Sequence, residues 1–199
     1  MVEAAVVPTR QRILDAALTS FGTRGFEATS LDSVAAELGI TKQTILYHFP
    51  SKDQLLEGVI DAAALELSTE LERTLSRAGS GWSRIDAVVR KAFRLGARRP
   101  ALLGLVREVT RLGPPHSAQF VAQLAPLIQR AQLFLDGEMN AGRLRRHDPA
   151  AVLLMAHSSV IGFATEVEAL RALGDEPTVR QMVRRRDGML RILRAALEP

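Results

Sequence analysis

Within the segment Gly39–Lys52, GITKQTILYHFPSK, stand Thr41, Lys42, Gln43, Thr44, Tyr47, His48 and Lys52, a set able to hydrogen-bond and to meet an anion. The same segment holds the chain's single tyrosine and two of its three lysines. Gln43 suits an adenine edge, and Thr44 offers a methyl to thymine together with a hydroxyl. Tyr47 and His48 reach phosphate or sugar, and Lys42 suits a guanine or a phosphate. Lys52 stands at a helix start, where backbone amides and an ammonium make an anion site. Thr29 and Ser30 offer a second helix start of that kind. The partner implied is double-stranded DNA, with phosphate contacts setting position and base contacts setting sequence choice. Taken alone, the segment also reads as an ordinary helix and turn in a helical bundle.

Other chemistries lack their residues. There is no cysteine, which removes disulfides, thiolate metal sites and a thiol nucleophile. No HExxH motif or phosphate-binding glycine loop occurs, and His48, His116, His147 and His157 do not have metal-ligand spacing. Glu166 and Glu168 are two positions apart, so on a helix they diverge. No catalytic residue, metal or cofactor is expected. Apolar residues make up 47% and charged residues 24%, as in a soluble globular protein. The net charge is +4, yet through Lys52 five basic residues face five acidic ones, so placement of charge carries the argument rather than its total. The N-terminus, MVEAAVVPTR, does not read as a secretory signal. The uncharged run between Asp148 and Glu166 falls short of the ~20 apolar residues of a spanning helix. A cytoplasmic protein without a membrane segment is expected.

The elements that must hold this set are helical. Thr9 is placed to cap a first helix carrying Ile13, Leu14, Ala17, Leu18 and Phe21 at helical spacing, with Gly22 and Gly25 ending it. Thr29 and Asp32 form a capping-box pattern before a second helix with Leu31, Val34, Ala35 and Leu38 on its stripe. Gly39 stops that helix, Ile40 plugs the turn, and Thr41 caps the third. On the third helix Ile45 and Phe49 share an apolar face, with Leu46 beside them. The opposite face carries Gln43, Thr44, Tyr47 and His48, a division that suits the major groove. Pro50 ends this helix, and Ser51 with Gln54 opens a fourth. Further helices are expected over 52–76, 82–97, 101–112, 117–141, 148–173 and 177–197. The fold class is all-α: a head over 9–51 and a larger helical body over 52–199.

Arg12-Ile13-Leu14-Asp15-Ala16-Ala17, Phe21, Gly25-Phe26, Ala28-Thr29-Ser30, Val34-Ala35, Leu38-Gly39-Ile40, Thr44 and Phe49-Pro50-Ser51-Lys52 carry a resemblance. In order and spacing they are similar to the N-terminal signature of the TetR family of bacterial transcriptional regulators. One position departs: Leu46 stands where many members have an aromatic residue, and the tyrosine follows at Tyr47. The resemblance implies a three-helix DNA-binding head, an effector-binding helical body, and homodimerisation through the last two long helices. A ligand-responsive repressor on a palindromic operator is the function it implies. The rival reading is a helical adaptor or ligand-binding protein without DNA binding.

In the body the residues say less. Phe93, Leu103, Phe120, Leu124 and Met155 are candidates for an effector-pocket wall, with Glu108, His157 and Ser158 as its polar groups. Small and apolar residues alternate along 148–173, so Val152, Ala156, Ser159, Val160 and Phe163 are assigned to dimer contacts, joined by Met189 and Leu193. Arg184, Arg185 and Arg186 read as a solvated face or ion-pair partners.

Overall fold

A computed structural model of the chain describes residues 8–174, 176 and 178–199. Among the described residues no strand occurs, and ten helices follow one another: α1 (Thr9–Arg24), α2 (Leu31–Leu38), α3 (Lys42–His48), α4 (Lys52–Arg77), α5 (Trp82–Arg98), α6 (Pro100–Leu112), α7 (His116–Asn140), α8 (Pro149–Thr165), α9 (Val167–Ala172) and α10 (Val179–Leu197). Among the described residues no helix is long and apolar enough to cross a membrane. Residues 1–7, with the leader reading made for them, lie outside the description.

Local signals explain most helix ends. Gly39 takes φ +65°, the left-handed conformation that closes α2 and costs glycine little. Ser51 accepts the Gln54 amide at 3.1 Å and opens α4, while Thr41 accepts the Thr44 amide at 3.2 Å and opens α3. Three expectations need correction. Thr9 is the first residue of α1 rather than its cap, Pro8 holding that position without a side-chain bond. Ser30 caps α2, exchanging bonds with Ser33, so the Thr29–Asp32 box does not form. The helix expected over 148–173 breaks at Glu166 (φ −90°, ψ 60°), between the weak helix formers Thr165 and Val167.

Gly22 lies inside α1, because its role is contact rather than termination. A Cβ built on it would stand 2.0 Å from the Ala101 carbonyl oxygen of α6. A Cβ on Gly104 would stand 2.0 Å from the Gly22 carbonyl oxygen. Two backbones therefore cross with no room for a methyl on either, and α1 meets α6 more extensively than any other helix.

One apolar core runs through the head and into the body. Ile13, Phe21, Val34 and Ile45 belong to it, and so do Leu55, Leu56, Val59 and Ile60 of α4 and Leu102 and Leu105 of α6. The sequence division at 51–52 thus cuts through a continuous core. At the far end, Val89 and Phe93 of α5 pack with Met189, Leu190 and Leu193 of α10. A third cluster joins Leu135, Met139, Leu144 and Leu197.

Candidate nucleic-acid interface

Helix α3, the candidate reading helix, is held by Ile45, which is fully buried, and by Phe49 just beyond it. Leu31 and Val34 of α2 share that core, which fixes the crossing of the two helices. The opposite face stands out in water: Tyr47 is 85% exposed, and Gln43 is exposed beside it. A tyrosine left this bare adds little to the core, and its ring and hydroxyl are free to meet a partner. His48 is half-buried, its ring 5.2 Å from that of Tyr47 at 78°. Thr44 is also half-buried, and its hydroxyl lies 3.0 Å from that of Thr41.

The cations are more committed than their sequence positions suggest. Lys42 pairs with Asp32 of α2 at 2.9 Å, an exposed pair that phosphate can displace at small cost. Lys52 lies with its ammonium 4.2 Å from the centre of the Phe26 ring and donates to the Glu27 carbonyl at 3.5 Å. The charge stays half-exposed at the start of α4 and is aimed by that packing.

Thr29 does not belong to the contact surface. It is 2% exposed, and its hydroxyl donates to the Gly25 carbonyl at 2.8 Å, tying the α1–α2 turn. Ser30 remains exposed at the helix start. Sequence reasoning passed over Arg10, whose guanidinium stands 5.0 Å from the centre of the Phe49 ring at the end of the reading helix. Asp32, read from sequence as half of a capping box, instead pairs with Lys42 ten positions on.

The head is latched to the body through Glu108 of α6. Its carboxylate accepts the Phe26 backbone amide at 2.7 Å and both Nε and Nη2 of Arg111, at 2.8 and 2.9 Å. The Arg111 bonds hold the carboxyl below the ordinary glutamate range against the opposing effect of burial. Glu108, expected to polarise a pocket, instead serves this joint.

The other expected pocket residues do not gather around one space. Phe93 packs on Phe163 with ring centres 6.3 Å apart, whereas Phe120 and Leu124 belong to the core near α4. Leu103 is buried on α6, its Cδ1 standing 2.5 Å from where a Cβ on Gly96 would lie. Met155, His157 and Ser158 are exposed on α8. The residues assigned to dimer contacts turn the other way. Ala156, Val160 and Phe163 pack on the cluster containing Met189 and Leu193, Val152 packs on that of Leu135, and Ser159 donates to the Met155 carbonyl. These five α8 residues are half-buried in the protomer, and Leu154 and Met155 are the apolar ones left bare. A pattern rich in apolar residues on every side gives no phase to choose by. Arg185 is likewise buried and donates to the Glu176 carbonyl at 3.4 Å, while Arg186 pairs with Asp187.

A helix-turn-helix whose second helix bares a polar face, joined to an all-helical body, defines a DNA-binding transcriptional regulator. Residues 13–59 match the family model for bacterial regulatory proteins of the tetR family. That segment carries the N-terminal signature of the TetR family of bacterial transcriptional regulators, and the chain is similar to a curated regulator over nearly its whole length. It is 26% identical to the HTH-type transcriptional regulator RutR of Escherichia coli K12, with 98% of this chain and 93% of that protein covered. Its fold is similar to that of the ketosteroid transcriptional regulator KstR2 of Mycobacterium tuberculosis, at TM-score 0.76 and 17% identity over the whole of both chains. The structure of AibR in complex with isovaleryl coenzyme A and operator DNA is similar at TM-score 0.76 and 20% identity, covering 91% of this chain and 95% of that one. This is a family of regulators rather than enzymes.

Proposed function

We propose that the chain represses transcription as a homodimer on a palindromic operator and is released by a small-molecule effector. One observation carries the DNA reading: a helix anchored by the buried Ile45 that leaves Gln43 and Tyr47 in solvent beside Lys42 and Lys52. Gln43 addresses a base edge, Tyr47 and His48 the sugar-phosphate backbone, and Ser30 and Lys52 the phosphates at two helix starts. A homodimer places two such heads on half-sites about 34–36 Å apart, or a multiple of that. Support for the dimer comes from apolar residues left bare on α8 and α10, with Leu154 65%, Met155 62% and Ile192 70% exposed. An effector has the similarity to AibR in its favour, a protein seen with both an acyl coenzyme A and operator DNA. The cytoplasm is the compartment in which such a regulator meets DNA.

Footprinting of genomic DNA with the purified protein tests this reading. The expected result is protection of a two-fold symmetric site upstream of a gene, weakened on Gln43→Ala and on Tyr47→Ala. A protein that stays monomeric and protects no site at low salt refutes it.

A further inference from the structure

Resting on that reading, we propose that the effector is a small organic anion whose phosphate or carboxylate binds in the cleft between α4 and α5. The cleft measures about 470 Å3 and is lined by Arg73, Thr74 and Arg77 of α4, by Ala78, and by Ala87 and Lys91 of α5. That size suits a small molecule. Its charge is lopsided. Three cations line it against the single carboxylate of Glu70. The surrounding stretch, residues 70–99, carries eight basic and three acidic residues, a surplus of five where the whole chain has four.

The cations are only partly satisfied. Glu70 takes a bond from Lys91 and another from Arg73 at 3.1 Å, which pulls its pKa below the ordinary value, mainly through Lys91. Among the described residues Arg77 has no ion-pair partner, although it faces the same cleft. Its place in the last turn of α4 is favoured by the helix dipole, which accounts for the residue but not for the cleft beside it. The loop at the end of α4 is fixed before any ligand arrives, because Arg84 bonds the Gly79 carbonyl at 2.8 Å and the Ala78 carbonyl at 3.4 Å. Ala78 and Ala87 leave room for the ligand's uncharged part.

The position gives such a ligand leverage on the head. The first turns of α4 bury Leu55, Leu56, Val59 and Ile60 in the core shared with α1. Farther along, α4 is tied to the α5–α6 junction by Glu66 with Arg99, at 2.8 Å, and to α5 by Glu70 with Lys91. An anion that recruits Arg73, Arg77 and Lys91 competes with Glu70 for its partners. It thereby loosens one of the two ties and changes the set of α4 beneath the head.

Calorimetry on the full chain, at ionic strength matched with sodium chloride, reads the site directly. Pyrophosphate and butyrate are titrated separately; the one that binds names the group as phosphate or carboxylate. Arg77→Gln removes a cation without an internal partner and is expected to weaken binding about 10- to 100-fold. Glu70→Gln removes the competing carboxylate and is expected to strengthen it, an opposite sign that loss of folding cannot imitate. Fluorescence anisotropy then measures operator binding, expected to fall about 5- to 150-fold at saturating anion. Equal binding by wild type and Arg77→Gln overturns the site, as does no binding of either probe. Saturation that leaves operator affinity unchanged overturns its role as the effector site. Loss of non-specific duplex affinity in Arg77→Gln, with no small anion bound, makes the cleft a DNA contact instead. A protein that fails to bind DNA with no anion present refutes the repressor reading alone, since the calorimetry contains no DNA.

Discussion

Glu108→Ala removes the acceptor of the Phe26 amide, and its cost follows from the geometry. The amide is buried with its residue, 8% exposed, and its bond to Glu108 is 2.7 Å long. A buried donor left without an acceptor costs ~1–3 kcal/mol, so about 2 kcal/mol is expected. In a chain of 199 residues that lowers Tm by roughly 4–8 °C. Glu108→Gln keeps an acceptor oxygen but gives up the charge, and is expected to lose about half as much. Calorimetric melting of both variants beside Arg107→Ala, an exposed neighbour, separates the latch from a general effect of α6 substitution. Operator affinity should fall with Glu108→Ala even well below its melting point, because the turn carrying Phe26 also seats Lys52. A Glu108→Ala protein that melts within a degree of wild type would refute the latch. So would one that melts lower but binds operator unchanged, for then the bond holds the fold and not the head.

Further outcomes are open to direct measurement. Gly22→Ala drives a methyl into the Ala101 carbonyl and is expected to destabilise by at least ~1–3 kcal/mol, read as a lower urea midpoint with unchanged m. Lys52→Ala should weaken all DNA sequences alike and reduce the salt slope by about one unit, whereas Gln43→Ala should relax choice at one base pair by ~1–3 kcal/mol. Leu154→Glu sets a charge on the bare face of α8 and should yield a monomer by sedimentation equilibrium with little change in the protomer's helicity. Glu108 and Glu138 have pKa values lowered chiefly by bonds from Arg111 and Arg143. Folded, they bind fewer protons than unfolded, so their contribution is complete above the ordinary glutamate value and lost as pH falls through the lowered ones. Tm should therefore hold steady down to about pH 5 and drop below it, less steeply in Glu108→Gln.

The head was largely readable from its residues because its signals are local. Thr41, Gly39 and Ser51 act on amides within a few positions, and the reading helix has one apolar side and one polar side. Thr29 misled because Thr-x-x-Asp and Ser-x-x-Ser overlap there, and only packing decides which hydroxyl is buried. Gly22 misled because a glycine near a helix end and a glycine at a crossing look alike until the crossing helix is placed. In the body, α8 is apolar around most of its circumference, so periodicity left its inward face undetermined. Glu108 could not be assigned from sequence at all: its partner, Phe26, lies 82 positions away.

The interlocked glycines of α1 and α6 bear on how the molecule can be taken apart. With carbonyl oxygens wedged where side chains would stand, Thr9–Arg24 and Pro100–Leu112 must swing as one piece, and any hinge lies elsewhere. A chimaera that transplants only the first fifty residues onto a foreign regulator would leave half of that rivet behind. Grafting the specificity of this protein requires carrying α6 along with the helices that read DNA.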